Sequence, residues 1–358
     1  MTSPTLPASG SPLRAAIIGC GAIAYEHLPF VARSDAAVPV ALCDRSRAMA
    51  DAAARHFGLS VPLYTDAEAM LAAERPDIVH VLTPPQTHDP LVRAALAAGA
   101  HVVCEKPMTG SAAETAGLIE AAKGASKVLV ESRNLLWNDP VLELLAMVRA
   151  GKLGEVRECE VLLSLDFLGG PFGDSNLAGG IGLPGGAVHD FLPHLVYLFQ
   201  ALTGAGAIDR VMGEYTNRSG NARAAYDFCD VLLRAEPVRG RLRVATDVEP
   251  SAFRVILRGS AGSVETDLYN PFMRFEGEPH TGKKYPLGQV RAGLSLARAG
   301  LGNLRNKIGQ HGTTHGLPRM LAAVYAAIRE GRAPPITAEE MLATARLTDQ
   351  ILALRSAA

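Results

Sequence analysis

Residues 13–24 read Leu13-Arg14-Ala15-Ala16-Ile17-Ile18-Gly19-Cys20-Gly21-Ala22-Ile23-Ala24. An apolar run of strand type ends in a G-x-G-x-x-A turn, and an alanine-rich helical pattern follows. Gly19 and Gly21 allow a tight turn and the close approach of a pyrophosphate, and the small Ala24 lets helix and strand pack. Ala22 and Ile23 complete the positions expected to touch a dinucleotide, because a helix N-terminus supplies N–H donors and positive potential there.

Alone, such a turn is a weak signal. It gains weight because the next strand ends in Val-Ala-Leu-Cys-Asp, placing Asp44 twenty residues past Ala24, where a carboxylate accepts hydrogen bonds from ribose hydroxyls. Asp44 would repel a 2′-phosphate and favours NAD; Arg45 and Arg47 stand close enough to compensate one, so NADP stays open.

Working outward, strand-like segments LRAAIIG, VPVALC, DIVHVL, AHVVC and KVLV alternate with helical patterns near 22–33, 46–57, 66–74, 87–98 and 111–123. This predicts a doubly wound parallel sheet with helices on both faces. In such a sheet ligands lie beyond the carboxyl ends of the strands, so Thr83, Pro84 and His88 after the fourth strand, and Glu105-Lys106-Pro107 after the fifth, should line one crevice with the glycine turn. His88 either contacts the cofactor or only caps its helix. Glu105 and Lys106 read by themselves as an ordinary exposed ion pair.

After Trp137-Asn138-Asp139-Pro140 comes one helix through Arg149. The strands VRECEVLLSL, DRVMGEYTN, AYDFCDVLLR, RLRVATDV, FRVILRGS and SVETDLYN then follow without helices among them, predicting an open, mostly antiparallel sheet. ITAEEMLATARLTDQILAL is a helix capped by Thr337. The expected division is a disordered lead at 1–12, a Rossmann domain at 13–132, an α+β substrate and oligomerisation domain at 133–335 and a terminal helix at 336–358. Residues 169–186 are glycine-rich, as a loop bordering a site would be. Residues 279–316 hold six Lys or Arg, three His and no acid. Seven-residue spacing there sets Arg291, Arg298 and Arg305 in one row and Leu294, Leu301 and Ile308 in another, either a helix docked by its leucines or a lid meeting an anionic group.

The 358 residues, 48% hydrophobic and 20% charged, suffice for two globular domains. A net charge of 35 − 36 = −1 gives no field for nucleic acid and no polybasic tail for a membrane. No stretch approaches the roughly eighteen apolar residues of a membrane span. Five scattered cysteines without C-x-x-C argue against a disulfide framework and a metal site. A reducing, cytoplasmic setting is expected.

G-C-G-A-I-A, Asp44, T-P-P-x-x-H and Glu105-Lys106-Pro107, with GKLGEV, GG-x-x-x-D-x-x-x-H at 185–194 and GSAGSVETD, resemble the Gfo/Idh/MocA oxidoreductases, the glucose-fructose oxidoreductase and inositol dehydrogenase family. The resemblance implies that Lys106 reaches the reacting oxygen beside the nicotinamide, with Pro107 fixing the backbone. It further implies His194 as general acid/base, Asp190 as its support or a binder of substrate hydroxyls, and a homodimer or homotetramer formed through the second sheet. Asp190 and His194 stand four apart and share a face if helical. The chain departs from the family in having Leu192 and Pro193 before the histidine, Tyr197 where an aspartate is usual, and Leu135-Leu136-Trp137 before Asn138. Trp137 and Phe191 therefore join Lys106, Asp190 and His194 as expected substrate contacts, and with Leu136 and Leu192 they suggest a larger or partly apolar substrate.

The expected activity is hydride transfer between nicotinamide and a secondary alcohol or ketone of a sugar, cyclitol or glycoside. Two other readings are glycoside cleavage by transient oxidation, elimination and reduction without net redox, and a non-catalytic sensor of NAD(H).

Overall fold

The computed structural model describes residues 11–166, 183–205, 208–220, 225–277, 285–309 and 316–357. Most of the glycine-rich stretch and both ends of the basic segment lie outside these. The chain divides into two compact units, Met1–Asn134 with Thr314–Arg346, and Leu135–Thr313 with Leu347–Ala358.

The first unit carries a six-stranded parallel sheet of order β3-β2-β1-β4-β5-β6, with β1 at Leu13–Ile18, β2 at Ala37–Cys43, β3 at Leu63–Tyr64, β4 at Ile78–Val81, β5 at His101–Cys104 and β6 at Leu129–Glu131. Helices α1 (Ala24–Arg33), α2 (Arg47–Phe57), α3 (Ala67–Glu74), α4 (His88–Ala97) and α5 (Ala112–Gly124) connect the strands. β4 and β5 are buried along their whole length, as a strand covered on both faces requires. Ala50, Ala53 and Ala54 form the buried stripe of α2.

The second unit carries a seven-stranded sheet of order β13-β12-β11-β7-β10-β9-β8. Its strands are β7 (Val156–Asp166), β8 (Arg210–Thr216), β9 (Phe228–Ala235), β10 (Val238–Ala245), β11 (Asp247–Gly259), β12 (Ser263–Asp267) and β13 (Arg274–Glu276). Only the pairing of β7 with β10 is parallel among the described ladders. After α6 (Asp139–Arg149), helix α7 (Gly186–Thr203) packs on β7 and β10. Leu192, Leu195, Val196, Leu198 and Phe199 of α7 are completely buried in the core there. The other face holds ion pairs such as the half-buried Arg241–Asp230 at 2.7 Å and the exposed Arg258–Glu158 at 3.1 Å, the latter of small energetic weight.

The basic segment forms α8 (Tyr285–Gly309), and its docking is the reverse of the leucine-docked arrangement. Ala292, Ala299 and Asn303 are the half-buried positions, and Asn303 Nδ2 donates to the Pro271 carbonyl at 2.8 Å. Leu294 and Leu301 are 53% and 65% exposed. Small residues allow the close approach to β13, and the same seven-residue spacing then turns the leucines outward. The side chain of Ile308 lies outside the described residues.

Helix α9 (Leu317–Arg329) belongs to the first unit, and α10 (Ala338–Leu352) contains the division between the units. At its start the Glu340 N–H donates to Thr337 Oγ1 at 3.2 Å and the Thr337 N–H donates to Glu340 Oε2 at 2.8 Å, a reciprocal capping box. Thr337→Ala is expected to cost about 0.5–2 kcal/mol, read as a lower urea midpoint.

Candidate active site

The turn after β1 is built for close approach. Gly19 has φ +96°, and a Cβ there would come within 2.8 Å of the Leu82 carbonyl carbon and oxygen and 2.9 Å of Thr83 Cγ2. The β1 turn thus presses on the β4 turn, its neighbour in the sheet, and only glycine fits. A Cβ on Gly21 would meet nothing within 4 Å, so the space before α1 is open. The N–H groups of Ala24, Tyr25 and Glu26 close three-residue turns onto Gly21, Ala22 and Ile23; the N–H groups of those three residues have no acceptor among the described residues. An open space faced by unused N–H donors at a helix start fits a pyrophosphate.

Asp44 is coupled to this turn. Its Oδ2 accepts from the Cys20 N–H at 2.8 Å and its Oδ1 from the Ser46 N–H at 2.8 Å, which leaves lone pairs on both oxygens for ribose hydroxyls. Arg47 donates to the Leu63 carbonyl at 3.0 Å, whereas Arg45 is exposed and makes no hydrogen bond or ion pair among the described residues.

The turns after β4 and β5 leave the same end of the sheet, and polar side chains fix them. His88 is fully buried, with Nε2 2.7 Å from the Thr83 carbonyl and Nδ1 3.1 and 3.2 Å from those of Pro107 and Met108. Burial lowers its pKa, opposed by these carbonyls and by Glu105. His88 therefore clamps the Thr83-Pro84 turn to the lysine turn, and its ring offers the cofactor no free nitrogen. Glu105 is likewise no exposed partner of Lys106: it is buried, its Oε2 accepts from the Lys106 N–H at 3.2 Å, and its Oε1 lies 3.1 Å from His27 Nε2. Glu131 Oε1 accepts from the Met108 N–H at 3.0 Å, while its Oε2 meets buried Arg133 at 3.0 Å. Between these supports Lys106 is half-buried, at a cis bond to Pro107.

In the second unit Asp190 and His194 lie on α7, four residues apart and both half-buried. Pro193 stands inside this helix rather than at its start, so the helix continues through it and the shared face is kept. Tyr197, at the position where the family has an aspartate, places its buried hydroxyl 2.6 Å from His194 Nδ1. A hydrogen bond there selects the tautomer of the ring without adding a charge. Phe191 and Leu136 are partly buried against the core and Trp137 is half-buried in the 3-10 turn Asn134–Trp137; Leu192 is wholly inside the core and lines nothing.

Two family models match these same stretches, an oxidoreductase family with an NAD-binding Rossmann fold over residues 13–132 and the Gfo/Idh/MocA C-terminal domain over 141–265. The chain belongs to the Gfo/Idh/MocA oxidoreductase family. It is 34% identical to the dTDP-3,4-didehydro-2,6-dideoxy-alpha-D-glucose 3-reductase of Streptomyces violaceoruber over 54% of this chain and 55% of that one. It is also 34% identical to the D-glucoside 3-dehydrogenase of Escherichia coli, over 41% and 42%. Across four curated relatives the match spans 37% to 55% of their own length. The WlbA dehydrogenase from Bordetella pertussis, solved with NADH and UDP-GlcNAcA, has the same fold, with a TM-score of 0.80 at 20% identity over 98% of this chain and 97% of that one.

Within this Gfo/Idh/MocA chain, sequence reasoning missed His27, His80, Glu131, Arg133 and Tyr325, all buried. The signals were present for two of them. His80 interrupts an otherwise apolar strand, and His27 falls one turn past Ala24 on the face of α1 that packs inward. Among the described residues no group of His, Cys, Asp or Glu is arranged to hold a metal ion, and the five cysteines are buried free thiols. No helix among them is long and apolar enough to cross a membrane.

Proposed function

We propose that this protein is an NAD-dependent dehydrogenase or reductase acting on a secondary alcohol or ketone of a sugar derivative. The observation that carries this is the lysine turn: Lys106 leaves the same end of the sheet as the open glycine turn, with the β4 turn between them, and is held by Glu105, His88 and Glu131. Gly21, Ala22 and Ile23 would bind the pyrophosphate through backbone N–H groups, and Asp44 the adenosine ribose. When bound, the nicotinamide accepts or supplies a hydride. The Lys106 ammonium hydrogen-bonds the substrate oxygen and stabilises the negative charge that develops on it. In the oxidative direction His194 donates Nδ1–H to Tyr197 and takes the hydroxyl proton at Nε2; in reduction it returns that proton. Asp190 binds a substrate hydroxyl beside it.

Half-buried Trp137 and Phe191 support a substrate larger than a free monosaccharide, and the reductase of a nucleotide-linked sugar and the glucoside dehydrogenase among the relatives agree with this. A kcat/KM comparison of free sugars, glycosides and nucleotide sugars should favour the last two; a strict preference for small free sugars would contradict the assignment. A second copy docking through the seven-stranded sheet belongs to the same reading, and native mass measurement checks it.

Asp44→Ala is expected to raise KM for NAD about 10- to 100-fold, the effect of losing charge-assisted hydrogen bonds of about 1.5–3 kcal/mol. KM for NADP should rise less, because Arg45 remains and the repelling carboxylate is gone. Equal effects on both cofactors would remove Asp44 from the ribose.

A further inference from the structure

Four buried side chains in the first unit stand in one line. The Tyr325 hydroxyl on α9 lies 2.8 Å from His80 Nε2 on β4. His80 Nδ1 lies 2.9 Å from His27 Nδ1 on α1, and His27 Nε2 lies 3.1 Å from Glu105 Oε1. Tyr325, His80 and His27 have no exposed surface and Glu105 is 8% exposed. Each contact holds one proton, so the arrangements can be counted.

Glu105 must be the acceptor. Burial alone would raise its pKa, but the hydrogen bonds from His27 and Ser132 and the charge of Lys106 lower it. A carboxylate facing several donors stays ionised, so the proton between His27 and Glu105 sits on His27 Nε2. Burial, aided by His27, lowers the pKa of His80 well below that of a free ring, so His80 carries one N–H.

Two arrangements remain. If that proton were on Nε2, His80 would donate to Tyr325 and His27 would be an imidazolium. The Tyr325 O–H would then need an acceptor, and its hydroxyl has only His80 as a hydrogen-bond partner among the described residues. A buried donor left without an acceptor keeps its full desolvation cost. If the proton is on His80 Nδ1, every donor is used: Tyr325 O–H to His80 Nε2, His80 Nδ1–H to His27 Nδ1, and His27 Nε2–H to Glu105.

We propose that Tyr325, His80 and His27 form a one-way donor chain that ends on Glu105 and, through the Lys106 N–H that Glu105 accepts, positions Lys106. None touches substrate; they are positioning residues, and their kinetic effect rests on the function proposed above. The chain also ties the lysine turn to α9, whose sequence lies far downstream.

Two measurements on the full-length protein test this. The first is the nitrogen NMR spectrum of isotope-labelled histidine, with signals assigned by their loss in His27→Gln and His80→Gln. The expected result is His80 protonated at Nδ1 and bare at Nε2, with His27 protonated at Nε2 and bare at Nδ1. A doubly protonated His27, or His80 protonated at Nε2, overturns the chain whether or not any sugar is turned over.

The second is kinetic. Tyr325→Phe should lower kcat about 2- to 10-fold, the equivalent of one neutral hydrogen bond, with KM for NAD little changed. His27→Leu, which removes the donor to a charged group, should lower it about 10- to 100-fold. His27→Gln keeps a donor toward Glu105 and should recover most of that loss. Equal losses in the Leu and Gln variants, or losses confined to KM, contradict a positioning role. Wild-type protein that turns over no sugar would defeat the functional reading, and the tautomers would still decide the chain.

Discussion

Replacing Lys106 with alanine is expected to lower kcat about 100- to 1000-fold while leaving NAD affinity within a few-fold. The magnitude is that of removing one preorganised donor from an oxygen that gains negative charge in the transition state. Affinity should survive because the groups read as holding the cofactor, the backbone of Gly21 to Ile23 and Asp44, owe nothing to the lysine side chain. The turn should survive as well, since Glu105 binds the Lys106 N–H and Glu131 the Met108 N–H, both backbone donors that alanine retains. Single-turnover rates and a cofactor fluorescence titration separate the two quantities. A rate within tenfold of wild type would remove Lys106 from the chemistry.

His194→Ala should lower kcat about 100- to 10,000-fold, the range for loss of a general acid/base. Proton transfer differs from packing in being replaceable from solution. Added imidazole should therefore restore part of the activity of the alanine variant and none of the loss in Lys106→Ala. The 2.6 Å contact between Nδ1 and the Tyr197 hydroxyl fixes the orientation of the ring. If the two residues serve one reaction, the double variant should be much less impaired than the product of the single losses, because groups that act as a unit are not additive. Fully multiplicative losses would say that they act in separate steps.

Much of the first unit was legible because its signals are local. The glycine turn, the alternation of strand and helix and Asp44 all lie within a few dozen residues, and the observed helices fall within one or two residues of those expected. β3, two residues long, carries too little pattern to read. Strands β7 to β12 were also visible in alternation, but their pairing order depends on nonlocal contacts.

What escaped reading depended on distance or on burial. Tyr325 reaches His80 across 245 residues of sequence, and nothing near either one encodes that meeting. Proline disfavours a helix interior, yet a helix anchored by fully buried Leu192, Leu195 and Val196 carries Pro193 inside it. The leucine row of α8 reads as a docking face because apolar residues usually turn inward; here the alanine row makes the contact. His88 and Glu105 sit in the motifs where cofactor ligands are expected, and the motifs alone do not reveal that both side chains are buried and bonded to the protein's own turns and helices.

The most direct test of hydride transfer is to incubate the protein with NAD and a glycoside or nucleotide sugar and to follow reduced nicotinamide and sugar products together. Hydride transfer predicts reduced nicotinamide in step with a keto-sugar, one for one, and loss of both in Lys106→Ala. Sugar cleavage without reduced nicotinamide would contradict it in favour of redox-assisted elimination, and tight cofactor binding with neither product would contradict it in favour of a sensor.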